Sequence, residues 1–575
     1  MTVDNSPTEQ KPPQVERKKR GKSGKPENNL PQIQPFKPLD IRDTESFLGP
    51  EWSPIFSFDV QFGSSDFEKA LAHLIREPNI NSTSLMRTDI IEDILHDTPK
   101  IDKWLKQQGL PTLTESQGDI EPYTLLNTIK PNASPIDPNT MPLSLYLDDI
   151  KPKFVPVENL SLEREIVRRL VPRNPRRDPV LNQTCSIFTT RIDKTEDSEK
   201  QDSILIVYSP HTKNSSECPF YLPPARGVGI LYHNKNVSVH YLLYDDDISK
   251  NTESPEYVPL PQRDLSDRIF RIAHHLGETA YKHSCGAKAG YKKRVHHDII
   301  IPKVVFQDKY IDLKNKYSKE LVGNWVESTD PKKHVFEDLA IAAFVTQLWN
   351  QMYSSKEEFT FVDVGCGNGL LVNILIKEGY KGYGIDARAR KSWETYSKEV
   401  QDCLKEQVIV PKVLLDSSPE KEYKLPGGEA FDTYKSLYSD KFVNVADFPP
   451  NTFLIGNHSD ELTVWLPLFD RPFIVIPCCS HALSGAKHRF TPKSQESKSA
   501  YASLVDHVQE IADRFGWDVE KEVLRIPSTR STALIGRNKK TGTHESVETI
   551  LESEGGGDGW VERTMALRGK NPRNH

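Results

Sequence analysis

Phe361-Val362-Asp363-Val364-Gly365-Cys366-Gly367-Asn368-Gly369-Leu370 is the stretch that decides how the second half of this chain folds. A hydrophobic strand ends in three alternating glycines and opens directly into a helix beginning at Leu370. Glycines are needed where the backbone turns sharply and passes against a ligand that any Cβ would strike. After such a loop a nucleotide sits at the carboxyl edge of a parallel sheet. The dinucleotide fingerprint needs its third glycine one position later, where Leu370 stands, so the loop fits a bound pyrophosphate less well.

Further along the chain, Gly382-Tyr383-Gly384-Ile385-Asp386 reads as a second strand ending in an acid. A carboxylate there can accept both ribose hydroxyls, which favours an unphosphorylated adenosyl group. Asp363 lies where it can influence the amino-acid end of such a cofactor. Asp416, read as the end of a third strand, is placed to reach the adenine amino group. Asp363, Gly365, Gly367, Gly369, Asp386 and Asp416 are therefore the expected contacts of S-adenosylmethionine. The bland alternative is a glycine-rich turn in an α/β fold that binds something else.

The surrounding pattern is regular. Thr329-Asp330-Pro331 is a helix start, a capping side chain followed by a proline whose missing N–H costs nothing. Strands are predicted over 359–364, 382–385, 410–415, 452–455, 472–477, 517–526 and 532–535, with helices over 370–378, 392–403, 461–468 and 498–515. Strands alternating with helices mean a mostly parallel sheet covered on both faces, and the last two strands suggest an antiparallel hairpin. The expectation is an α/β, class I (Rossmann-like, seven-strand) methyltransferase domain over 326–540. Beyond it, 541–575 reads as a flexible tail around Gly555-Gly556-Gly557, ending in a short helix over 561–567.

The first half is less readable. Residues 1–40 carry Arg17, Lys18, Lys19 and Arg20 among Pro, Asn and Gln and are expected to be a disordered basic tail. Gly21-Lys22-Ser23 mimics the end of a P-loop, but Glu16 occupies the place of its first glycine. Residues 41–325 mix strand-like runs (204–208, 229–232, 237–244) with helical spacing at Ile269, Ile272, Ala273 and Leu276, an α+β domain.

A chain of 575 residues with 36% hydrophobic and 27% charged residues is too long for one core and has material for two. It shows no run long enough to span a bilayer and no signal peptide, so no membrane is expected. Seven thinly spread cysteines argue against a disulfide framework and for a reducing compartment. The net charge of −6 gives no support to a nucleic-acid partner, which would need local basic patches. One runs over Arg164, Arg168, Arg169, Arg173, Arg176 and Arg177; the other holds Lys282, Lys288, Lys292, Lys293 and Arg294 with Tyr281, His283 and Tyr291.

From about residue 150 onward the sequence resembles the tRNA (uracil-2′-O)-methyltransferase family. The resemblance is carried by Gly365-Cys366-Gly367-Asn368-Gly369-Leu370-Leu371, Gly379 to Arg388 and Ile455-Gly456-Asn457-His458-Ser459-Asp460-Glu461-Leu462. Ile476-Pro477-Cys478-Cys479, Leu524-Arg525-Ile526-Pro527-Ser528-Thr529 and Lys293-Arg294-Val295-His296-His297-Asp298 match it as well. It implies methylation of the ribose 2′-hydroxyl of uridine 44 in serine tRNA, in the cytoplasm, with S-adenosylmethionine as donor. It also favours RNA contact by Lys292, Lys293 and Arg294, with Tyr281 or Tyr291 stacking on a base. No cysteine stands in the tail where some relatives carry a zinc module, so no metal is carried over.

A ribose hydroxyl is a poor nucleophile that profits from a base. His458 and Asp460, after the fourth strand, are the base candidates; otherwise Asn457 and Asp460 only cap the next helix. The Lys-Asp-Lys-Glu tetrad of another 2′-O-methyltransferase group is not evident. Cys478-Cys479-Ser480-His481 ends the fifth strand and reads as pocket lining, since as a metal site it lacks spaced partners. From residues alone, a methyltransferase for protein or small molecules is the runner-up, and a non-catalytic binding protein the third reading.

Overall fold

The computed structural model describes residues 35–96, 123–124, 143–190, 202–244, 259–291, 296–424, 431–492 and 499–569. The chain forms two compact units, Met1–Lys292 and Lys293–His575. The boundary lies earlier than the expected one near 325, because a helix unseen in the sequence, Lys303–Gly323, packs on the helix that starts at Pro331. Its buried Phe306, Gln307, Ile311, Leu313 and Leu321 form no clean stripe, so its sequence carries little periodic signal.

The first unit is built on a sheet whose long strands are antiparallel. Its long strands are β1 Trp52–Asp59, β2 Leu85–Leu95, β3 Leu160–Pro172, β4 Val180–Thr190, β5 Ser203–Pro210, β6 Gly227–His233 and β7 Asn236–Leu242. They lie in the order β1-β7-β6-β5-β4-β3-β2, with Leu39–Asp40 beside β1, Tyr123–Thr124 beside β2 and Ser144–Leu145 paired in parallel with the start of β4. Two helices, α1 Ser64–Arg76 and α2 Arg268–Lys288, cover one face. Phe67, Leu71, Phe270, Ala273 and Tyr281 from these helices bury against Ile55, Phe58, Tyr232 and Val239 of the sheet. Of the tail expected over 1–40, residues 1–34 lie outside the described residues, while Leu39–Asp40 pairs with β1 and Phe36 packs on Phe58 at 4.8 Å.

This unit corrects two sequence readings. The arginines of β3 are not one cationic face. Arg164 pairs with Asp93 at 2.5 Å, buried Arg168 donates to Gln183 Oε1 at 2.7 Å and to the Ile75 carbonyl, and Arg169 donates to Asn182 and the Leu147 carbonyl. Strand alternation sends successive side chains to opposite faces and into different internal partners. Tyr281 is buried in the helix–sheet core and is not available to stack on a base, whereas Tyr291 is exposed. Lys292, Lys293 and Arg294 lie outside the described residues.

The second unit begins with α3 Lys303–Gly323 and α4 Pro331–Met352. Asp330 caps α4, its side chain accepting the Lys332 N–H at 2.9 Å, with Pro331 in the first turn. Then follow β8 Thr360–Val364, α5 Leu370–Lys377, β9 Gly382–Asp386, β10 Leu404–Glu406, β11 Thr452–Asn457, β12 Phe473–Ile476, α6 Ala500–Arg514, β13 Trp517–Val523 and β14 Thr532–Lys539. They build a seven-stranded sheet in the order β10-β9-β8-β11-β12-β14-β13. The first five are parallel; β14 runs antiparallel to both β12 and β13. Trp349 of α4 packs on Phe361 of β8 with ring centroids 5.9 Å apart, fixing the helix over the strand that leads to the glycine loop.

Three local expectations change. The strand expected over 410–415 is absent: Pro411 interrupts the apolar run, Lys412–Asp416 is a one-turn helix, and Val408–Ile409 pairs with Val443–Asn444 in a separate small sheet. The helix expected over 461–468 is two 3-10 turns, Asp460–Val464 and Leu466–Phe469, because Pro467 cannot continue an α ladder. The segment after 540 is not a flexible tail over its described part. Helices α7 Val547–Ser553 and α8 Trp560–Ala566 bury Ile550, Trp560, Val561 and Met565 in the core, and Trp560 Nε1 donates to the Ile409 carbonyl at 3.0 Å.

A strap at 296–300 is held by β13 and the loop after it. The buried Glu522 carboxylate accepts the backbone N–H groups of Asp298, Ile299 and Ile300 at 2.9, 2.7 and 2.9 Å. Arg525 forks onto Asp298 at 2.8 and 2.5 Å. Charge-assisted bonds contribute about 1.5–3 kcal/mol each, and the orphaned amides carry a further cost. Glu522→Ala is expected to lower unfolding stability by roughly 3 kcal/mol or more, measured by urea denaturation; a change below about 1 kcal/mol contradicts the strap.

Candidate active site

The glycine loop sits at the carboxyl end of β8, between β9 and β11. Gly365, Gly367 and Gly369 all have positive φ, +79°, +53° and +72°, the left-handed region that costs other residues energy. The three do different jobs. A Cβ on Gly365 would lie 3.3 Å from Ser459 Cα, and one on Gly369 would lie 2.9 Å from Leu404 Cδ2. A Cβ on Gly367 would meet no protein atom within 4 Å. Protein packing leaves that side of the loop open, as a cradle for a ligand requires.

Asp386, ending β9, pins the loop. Its Oδ2 accepts the Gly367 N–H at 2.9 Å and its Oδ1 the Arg388 N–H at 3.3 Å, while Arg390 lies 3.8 Å away. From behind, Trp393 Nε1 donates to the Gly367 carbonyl at 2.9 Å and the Tyr396 hydroxyl to the Asn368 carbonyl at 3.0 Å. Burial raises the Asp386 carboxyl above its ordinary range, opposed by Arg390.

Asp363 is buried beneath the loop, and its Oδ1 has no hydrogen-bond partner. Burial, and then the charge of Asp386, pushes its carboxyl up to about 8. Asp338 on α4 is also raised well above the usual carboxylate range, by burial and then by Glu337 and Asp363. An orphaned buried carboxylate oxygen and an open glycine cradle are what a cationic adenosyl amino acid fits. Asp363, the loop glycines and Asp386 would hold S-adenosylmethionine, which supplies the activated methyl group.

This arrangement has a pH consequence. Below about 8 the free protein keeps a proton on Asp363, and a bound cation favours the ionised carboxylate. Cofactor affinity is therefore expected to rise with pH up to about 8 and then level, with a proton released on binding at pH 7. Calorimetry in two buffers of different ionisation enthalpy measures that proton. Equal heats in both would refute the coupling.

Asp416, expected at the adenine, sits exposed at the end of the one-turn helix and accepts a hydrogen bond from the Tyr438 hydroxyl. Without the third-strand position, the argument that assigned it to adenine no longer applies. His458 follows β11 with φ +53°, and its Nε2 lies 3.1 Å from Oε1 of Glu337, a buried carboxylate on α4. Asn457 Nδ2 donates to Asp338 at 3.4 Å. Asp460, also at positive φ, faces the Cys478 thiol at 3.4 Å. The structure thus brings His458 and Asp460 to the loop edge through Ser459, whose Cα would stand 3.3 Å from a Cβ on Gly365. Glu337 and Asp338 were missed because they lie in an ordinary-looking helix; their only sequence signal is their place in its early turns after Pro331.

Comparison with known proteins fits this geometry. Residues 28–294 match a family model described as "TRM44-like, N-terminal bet v1-like domain", and residues 300–411 match one described as "Predicted AdoMet-dependent methyltransferase". A Yarrowia lipolytica protein named tRNA (uracil-O(2)-)-methyltransferase is 48% identical over 551 residues, covering 94% of this chain and 100% of the relative. The chain belongs to the tRNA (uracil-O(2)-)-methyltransferase family. The Saccharomyces cerevisiae protein of that name is 44% identical, covering 93% of this chain and 96% of its own. The Schizosaccharomyces pombe one is 36% identical, covering 96% and 99%. An S-adenosylmethionine-dependent methyltransferase domain follows the N-terminal domain, and S-adenosylmethionine is the methyl donor. Among the described residues no helix is long and apolar enough to cross a membrane.

Proposed function

We propose that this protein, acting in the cytoplasm, transfers the methyl group of S-adenosylmethionine to the ribose 2′-hydroxyl of uridine 44 in serine tRNA. Full-length relatives named for tRNA methylation support the substrate class, and the family resemblance of the motif blocks supports the tRNA and the position. The sheet order, five parallel strands and a closing hairpin, supports a class I, Rossmann-like fold. The observation that carries the chemistry is the Glu337–His458 pair beside the glycine loop. In-line displacement needs the hydroxyl oxygen aligned with the methyl and relieved of its proton. His458 accepts that proton, and Glu337 holds the imidazole and offsets its charge. Asp460, the other residue expected to serve as base, instead faces a thiol.

Mass spectrometry of nucleosides from purified serine tRNA tests the reading, comparing cells with and without the protein. The 2′-O-methyluridine must vanish and return with the wild-type gene; its persistence would refute the assignment. Lys292, Lys293 and Arg294 are proposed to hold tRNA phosphates. Neutralising all three should raise the KM for whole tRNA, leave cofactor affinity unchanged and make the salt dependence of binding shallower. An unchanged salt slope would move the RNA surface elsewhere.

A further inference from the structure

At the carboxyl ends of β11 and β12, three side chains converge that methyl transfer does not need. Asp460, Cys478 and Cys479 each offer one ligand atom, and the three atoms lie within 4.8 Å of one another. Cys478 Sγ is 3.4 Å from Asp460 Oδ1. We propose that Asp460, Cys478 and Cys479 form a binding site for one thiophilic divalent cation, zinc.

Adjacent cysteines alone are two ligands of a site that needs more, which is why the sequence reads as pocket lining. The missing partner comes from the neighbouring strand end, where the left-handed backbone at Asp460 turns its carboxylate to the thiols. The spacing suits a metal. Zinc bonds of about 2.3 Å to sulfur and about 2.0–2.2 Å to oxygen, set tetrahedrally, separate the two ligand atoms by roughly 3.5 Å.

Charge and ligand softness point the same way. Two thiolates and a carboxylate in so small a space repel one another unless protons or a cation intervene. Arg530 donates to the Cys478 carbonyl, and its Nη1 lies 3.9 Å from Cys479 Sγ. One dication and this guanidinium together cancel the charge of the three ionised ligands. Thiolates select zinc over magnesium or calcium, and binding sends two thiol protons to solvent. Three protein ligands leave a tetrahedral position for an oxygen. It lies on the edge that carries the cofactor loop, since Asp460 follows Ser459, the residue against Gly365.

The test uses the purified full-length chain, reduced and dialysed against zinc, then counted by elemental analysis; cobalt(II) replaces zinc as a spectroscopic probe. One equivalent of metal is expected, with intense near-ultraviolet thiolate-to-cobalt absorption. Cys479→Ser and Asp460→Asn should each weaken cobalt affinity more than tenfold, while Cys218→Ser, in the other unit, should change nothing. Cys479 is only partly buried, so its variant should fold even if Cys478→Ser does not. Wild-type protein that retains under a tenth of an equivalent and shows no charge-transfer band overturns the site, as does an unchanged cobalt spectrum in Cys479→Ser. Cofactor binding measured in parallel keeps this outcome separate from any failure of the methyltransferase reading.

Discussion

Asp386→Ala is expected to weaken S-adenosylmethionine binding by roughly two to four decades while leaving the fold intact. Two charge-assisted bonds to ribose hydroxyls, at about 1.5–3 kcal/mol each, account for that range. The structure adds a second source of loss, because Asp386 Oδ2 also accepts the Gly367 N–H at 2.9 Å and so shapes the cradle. Asp386→Asn keeps one acceptor oxygen and should fall between wild type and alanine. Calorimetric titration gives the affinities, and a thermal melt checks that the variant is folded. A folded alanine variant with wild-type affinity would remove Asp386 from the cofactor site.

His458→Ala should lower the single-turnover rate on tRNA by roughly 10²–10⁴-fold, the usual contribution of a positioned base. Cofactor affinity should not change, which separates this effect from that of Asp386. Glu337 is a positioning residue, held 3.1 Å from the imidazole and not expected to touch substrate. Glu337→Gln should slow the reaction less than His458→Ala while leaving the KM for tRNA unchanged, because the amide still reaches the imidazole but carries no charge to offset the imidazolium. A merely structural role for Glu337 would lower stability without slowing single turnover in the folded variant. A His458→Ala enzyme within threefold of wild type would exclude proton transfer to this residue.

The cofactor half was the more legible because its signals are local. The strand Thr360–Val364, the glycine loop, the helix from Leu370 and the strand ending at Asp386 all follow from residues adjacent in sequence. The cap at Asp330 and Pro331 is local in the same way. The third strand was misplaced because β10 is only Leu404–Glu406, too short to alternate visibly, while the more apolar run around Pro411 pairs elsewhere. Helix α3 and the helix Val547–Ser553 have no counterpart in the sequence reading, and the short helix expected over 561–567 is packed into the core instead of ending a flexible tail, because their stability comes from the surfaces they meet, not from a periodic stripe.

What the sequence by itself determined was therefore the chemistry of single elements: a glycine loop made for an adenosyl ligand, an acid to close it, and histidine and thiols at strand ends. Only the tertiary structure decided which of them meet. Glu337 reaches His458 across 121 positions of chain, and Asp460 reaches Cys478 across 18. The arginines of β3, a basic run on paper, are drawn instead into pairs with Asp93, Gln183 and Asn182. Partners so far apart leave no local periodicity. They are set by the crossovers of a sheet, whose strand order follows from packing and not from any neighbouring residue.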